Sequence, residues 1–327
     1  LQLDRELQTC AGDLLGAYRS AKALHDLLPS ESTTMYLTRN ASALNRSREV
    51  VQLQLRNGDA SRPPTRLNSL AHLTLALHAL GEYQRELQIA GFAREQYPDL
   101  FEPALYEVRA RAALGDVQGV QNVVTATLMM SSGASAAIGD GVNPATVAMV
   151  AGHELRAHGH EREGREITQQ LAAWLDRHLP PPDDRRAERR YLLALVGASI
   201  DVERWEEAQR ALARLKENCG DCLGWISLRG ELAARRGDVA EAHRISDTLA
   251  RVRYPYMRGQ NTHARAQIAA VLGERELAVS LLHDAFAEGL RYDMYREYRL
   301  NNFNHALPEF ASLRGYPPFE ELLRPKE

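Results

Sequence analysis

The chain has 327 residues, 44% hydrophobic and 25% charged, with a formal net charge of −3, the composition of a globular chain long enough for one elongated domain. A partner for phosphate backbones would show clustered Lys and Arg and a positive balance; Lys occurs here only at positions 22, 216 and 326, which excludes nucleic acid. The longest apolar run, Tyr191 to Ile200, is about half of the ~20 residues that a membrane span needs, so no segment of the chain is expected to cross a bilayer.

Residues 1–66 hold two helical patterns, Leu3 to Leu28 and Ser32 to Leu55, broken at Leu28-Pro29-Ser30 and expected to form an N-terminal helical pair. Asn57 to Pro64 then interrupts the chain. From Leu67 a stronger pattern begins. Leu70, Leu73 and Leu77 make an i, i+3, i+7 stripe, Gly81-Glu82-Tyr83 forms a turn, Ala90 and Ala93 face inward on a second helix, and Pro98 stops it. Sliding the chain by 34 residues lays this turn on Gly115-Asp116-Val117, and the same shift lays Glu203-Arg204-Trp205 on Gly237-Asp238-Val239. Further turns fall at Gly159-His160-Glu161 and Gly273-Glu274-Arg275. The spacing stretches at two insertions rich in Gly, Pro and Asp, near 131–144 and 180–184. Glu86 stands where later copies have Ala208, Ala242 and Ala278, and the middle copy carries Gly164 at that site and polar Thr168 where an apolar residue is expected. No sustained period-two alternation argues for a strand.

A period of 34 with a Gly-Asp/Glu-aromatic turn between two amphipathic helices resembles the tetratricopeptide repeat (TPR). The resemblance covers about Leu67 to Leu290. It implies an all-α fold, a right-handed superhelical solenoid of antiparallel helix pairs over residues 67–290, with a C-terminal capping segment at 291–327. The closing stretch, Leu307 to Lys326, looks like the end of TPR regions attached to bacterial membrane-anchored serine/threonine kinases and transcriptional regulators. A kinase Gly-rich loop with its Lys and the HRD and DFG motifs are missing from the sequence, so kinase activity does not follow. Physically, Phe310, Leu313, Phe319 and Leu322 are expected to cover the open apolar end of the stack.

Catalytic patterns fail on spacing. Gly152 to His160 resembles a zinc-peptidase helix, but that helix needs His at i and i+4; Ala157 is i+4 from His153, and His158 at i+5 points about 140° away. Gly139-Asp140-Gly141 lacks the Lys-Ser/Thr of a phosphate-binding loop. No catalytic residue, metal or cofactor is therefore expected, and a metal-dependent hydrolase using the His153 region is the weakest alternative. Cys219 and Cys222 flank a turn and suit a disulfide that would staple a helix corner; no second Cys pair accompanies them to complete a zinc site. Cys10 is left over and reads as a buried small hydrophobe.

Function in such a scaffold is expected on the wall formed by the first helix of each pair, which by the register carries Asn68, His78, Arg109, His153, Arg156, Arg190, Leu193, Ser227, Arg235, Gln260, His263 and Gln267 among others. Arg109, Arg156, Arg190 and Arg235 recur along it and suit carboxylates, which suggests a protein or peptide partner with acidic segments. The Lys and Asn clamp of chaperone-tail binders is replaced by Ala71, Leu75, Tyr106 and Arg109. Tyr292, Tyr295 and Tyr298, every third residue among arginines, form a second candidate docking patch. The expectation is a non-catalytic interaction scaffold or subunit of a protein complex. The alternative is a sensor or docking domain of a bacterial signalling protein. The chain begins at Leu1 without Met, consistent with removal of a signal peptide or anchor. The Cys pair favours an extracytoplasmic, periplasmic setting over a cytoplasmic one.

Overall fold

The computed structural model describes residues 2–55, 63–130, 142–180, 183–293 and 304–326. Among these the protein is all-α, without a strand. Consecutive helices pack as pairs: α1 (Gln2–Ala11) with α2 (Leu14–Leu27), α3 (Glu31–Ala43) with α4 (Ser47–Gln54), α5 (Leu67–Ala79) with α6 (Tyr83–Gln96), and α7 (Glu102–Ala113) with α8 (Val117–Met130). The later pairs are α9 (Pro144–Ala157) with α10 (Glu161–Leu175), α11 (Arg185–Asp201) with α12 (Trp205–Cys219), α13 (Leu223–Arg235) with α14 (Val239–Arg251), and α15 (Gln260–Val271) with α16 (Arg275–Ala287). A 3-10 helix (Pro308–Leu313) and α17 (Pro317–Leu323) close the chain.

The turns have one chemistry. Gly81, Gly115, Gly159, Gly237 and Gly273 all sit in the left-handed region, with φ between +73° and +91°. The residue after each donates its N–H back across the turn, as Glu82 does to the Leu77 carbonyl and Asp116 to that of Arg111, both at 2.9 Å, satisfying a carbonyl the helix end leaves open. Glu203 takes the same conformation without being glycine, at φ +64°, and Arg204 N–H completes the bond to Ser199 O at 2.8 Å.

The N-terminal region differs from expectation. Each of its two helical patterns is cut in two, at Gly12 (φ +85°) and at Asn45 (φ +59°), so four helices occur where two were anticipated. Asp13 accounts for the first cut: it caps α2 by accepting from Gly16 N–H at 2.8 Å. Of the two insertions, residues 131–141 and 181–182 lie outside the described residues. At their edges, Asn143 caps α9 ahead of Pro144, and Asp184 caps α11.

One core runs from Tyr18 in α2 to Ile268 in α15, and includes the expected Leu70, Leu73, Leu77, Ala90 and Ala93. A second, smaller core joins α15 and α16 to the tail, where Phe310, Leu313, Phe319 and Leu322 are buried. The two ends of the chain also meet. Asn45 Nδ2 donates to the carbonyls of Leu323 (2.9 Å) and Arg324 (3.1 Å), Lys326 N–H to Asn45 O (2.8 Å), and Tyr292 N–H to Ala43 O (3.1 Å). Gly12 and Gly289 touch so closely that a Cβ on Gly289 would lie 2.5 Å from Gly12 Cα. No helix among the described residues is long and apolar enough to cross a membrane.

Candidate functional site

The first helices α5, α7, α9, α13 and α15 are buried almost all round, and the polar side chains they bring inside are organised into two clusters. The first is built on Glu86, in the first turn of α6. Glu86 is fully buried and accepts from Arg109 Nε of α7 at 2.6 Å, while its other oxygen lies 2.7 Å from His78 Nδ1 at the end of α5. The carboxylate that departs from the Ala of later copies is thus the acceptor for two inward-facing donors. Beyond His78 stands Glu154 of α9, also fully buried. Its Oε2 lies 3.5 Å from His78 Nε2, 3.6 Å from His158 Nε2 and 3.2 Å from His305 Nε2.

These imidazoles share one carboxylate, and their proton affinities diverge accordingly. Burial disfavours the His78 cation, but the Glu86 and Glu154 carboxylates outweigh it and raise His78 to about 9. Burial likewise opposes ionisation of Glu154, yet His305 and His78 hold it well below the usual carboxylate range. His305 is pushed down, first by burial, with Glu154 offsetting only part of it and His78 and His158 adding repulsion. Among the described residues, one ligand atom each from His78, Glu154, His158 and His305 lie within 4.8 Å of one another, a set able to hold a metal ion.

The second cluster centres on Asp201, the last residue of α11. His153 Nε2 lies 2.7 Å from Oδ2 and Arg156 NH1 3.5 Å from Oδ1. Burial raises the Asp201 carboxyl, but His153, Arg156 and Arg235 together bring it below its ordinary value. The close approach of α9 and α10 that seats Arg156 depends on Gly152 and Gly164: a Cβ on Gly164 would lie 2.5 Å from both Gly152 O and Arg156 Cγ. The two departures of the middle copy are therefore a packing device, with Thr168 Oγ1 satisfied by Gly164 O at 3.1 Å.

The inward side chains face the chain's own tail. His263 Nε2 lies 2.7 Å from Asn304 Oδ1, Gln267 Nε2 donates to Glu309 Oε1 at 2.7 Å, and Arg314 NH1 donates to Arg156 O at 3.2 Å. Between these contacts and α3 remains a cavity of about 690 Å³, lined in part by Asn68, His72, Leu193, Ser227, Gln260 and His263, with Arg39, Arg189, Arg258 and Arg291 also on its lining.

The anticipated site residues are therefore distributed over different settings. Arg109 is 1% exposed and paired with Glu86, so it does not present a guanidinium to a partner. Arg156 and Arg235 come together around Asp201, and Arg190 is half-buried in the second turn of α11. His263 reaches both the tail and the cavity. Tyr292 stacks on Phe286, with centroids 3.8 Å apart, in the contact between chain ends; Tyr295 and Tyr298 lie outside the described residues. Cys219 and Cys222 form a disulfide across the turn from α12 to α13, and Cys10 is exposed where burial was anticipated. Sequence reasoning weighed His158 only as a partner for His153. The useful spacing was Glu154 to His158, i and i+4 on one helical face. Compared with known proteins, the chain matches no protein-family model and no curated protein.

Proposed function

We propose that the chain is a non-catalytic interaction scaffold, a TPR-like right-handed superhelical solenoid that holds a polypeptide segment on its inner face as an adaptor or subunit of a protein complex. The observation that supports this reading is the cavity. Positions assigned to the inner wall of α5, α11, α13 and α15 converge on it, as Asn68, Leu193, Ser227 and Gln260, and its volume suits a short segment. Apolar Met35, Leu223 and Leu290 beside Arg39, Arg189 and Arg258 fit an occupant that carries acidic groups on an otherwise apolar strip. Selecting peptides from a random library on the immobilised protein should enrich Asp and Glu, and the double variant Arg189→Ala/Arg258→Ala should weaken the winners by at least ~10-fold, with strong salt dependence. Peptides without acidic enrichment, or bound equally by the variant, would refute the reading.

The Cys219–Cys222 disulfide favours a second reading for the same scaffold, that of an extracytoplasmic sensor or docking domain of a bacterial signalling protein, since such bonds persist in oxidising compartments. Alkylating thiols in intact producing cells should then label Cys10 alone. Labelling of all three cysteines would place the chain in a reducing compartment.

A further inference from the structure

We infer that His78, Glu154, His158 and His305 form a binding site for one divalent transition-metal ion, with zinc the best match, and that the ion ties the C-terminal tail to the inner helices. Four ligand atoms set ~2.0 to 2.2 Å from a tetrahedral ion stand about 3.4 Å from one another. Glu154 Oε2 stands 3.2, 3.5 and 3.6 Å from the Nε2 atoms of His305, His78 and His158, close to that spacing, and all four ligand atoms lie within 4.8 Å of one another, so the imidazoles have at most about 1.4 Å to close on one another around an ion.

The surroundings are those of a built site. His78 turns Nε2 inward because Nδ1 is engaged by Glu86, which Arg109 holds in turn; a carboxylate behind a ligating imidazole fixes its tautomer and strengthens it as a donor. His158 Nε2 is buried without a hydrogen-bond partner among the described residues, a costly arrangement that a cation bound beside it would relieve. His158 caps the C-terminal end of α9 four residues after Glu154, and His158 and His305 keep 20% and 32% of their side chains exposed, which leaves an entry path from one side.

Three imidazoles and one carboxylate select zinc, cobalt, nickel or copper over magnesium and calcium, which take oxygen ligands. Four protein ligands close the coordination shell, the mark of a structural ion instead of one that activates water. The ligands come from α5, α9 and the tail, so binding would favour the arrangement in which residues 304–314 cross the inner helices. This inference does not depend on what the cavity holds.

The test uses the full chain, stripped of metal with its disulfide kept oxidised, titrated calorimetrically with zinc and separately with magnesium. One equivalent of zinc should bind with micromolar affinity or better and raise the melting temperature, while magnesium does neither; the cobalt-loaded protein should show the visible bands of a tetrahedral site. His158→Ala and His305→Gln should each weaken zinc at least ~100-fold, and His160→Ala, outside the set, should leave it unchanged. Should His158→Ala fail to fold, His305→Gln on the exposed side carries the same expectation. Zinc bound no better than magnesium, or equally well by the His305 variant, overturns the proposal.

Discussion

At the scale of single residues, the interior holds buried carboxylates, Glu86 and Asp201, whose partners come from neighbouring helices. Removing one partner leaves the other charged in a low dielectric, which costs more than the pair itself contributes. Glu86→Gln would strand Arg109 and loosen His78, so chemical denaturation should show a loss of about 3–5 kcal/mol. Asp201 gives a pH signature. Its folded-state value lies below the unfolded one, so the stability it contributes is present above the unfolded value of about 4 and is lost as pH falls through the folded value. The stability difference between the wild type and Asp201→Asn should therefore shrink as the pH falls below about 4. A difference that stays unchanged down to about pH 2 would contradict the assignment.

At the scale of elements, the helix pairs share one turn, and the exceptions are informative. Glu203 holds a left-handed backbone that costs a non-glycine residue about 1 kcal/mol, and its exposed pairing with Arg165 at 3.1 Å returns little. Glu203→Gly should raise the unfolding free energy by up to about 1 kcal/mol in thermal melts. Gly164→Ala should act in the opposite sense, by about 1–3 kcal/mol, because the added Cβ meets backbone of α9. Both turn and stripe were legible in the residues, since they are determined within a few positions of themselves. Glu86, Gly164 and Thr168 were legible only as breaks in the pattern. Their reason lies in a neighbouring helix: an Arg on α7 for the first, a glycine on α9 for the other two.

At the scale of the whole molecule, the first and last pairs touch, so the array returns on itself. Gly289, at φ +94°, has no room for a side chain against Gly12. Gly289→Ala should separate the ends, seen as faster amide exchange at Tyr292 and Lys326, whose N–H groups donate to Ala43 and Asn45. Unchanged protection at both amides would mean that the closure does not depend on this contact. The tail that reads as a cap also folds back over the inner helices and reaches Glu154 through His305, 151 residues away.

From the residues alone followed the helix pairs from Leu67 onward, the glycine turns and the apolar tail cap, because hydrogen-bonded turns and 3.6-residue stripes are written within a span of one or two helices. Which inward side chains would become neighbours was decided by the tertiary structure. The meeting of His78, Glu154, His158 and His305 joins α5, the end of α9 and the tail, segments up to 227 positions apart, and no local pattern encodes contacts at that separation.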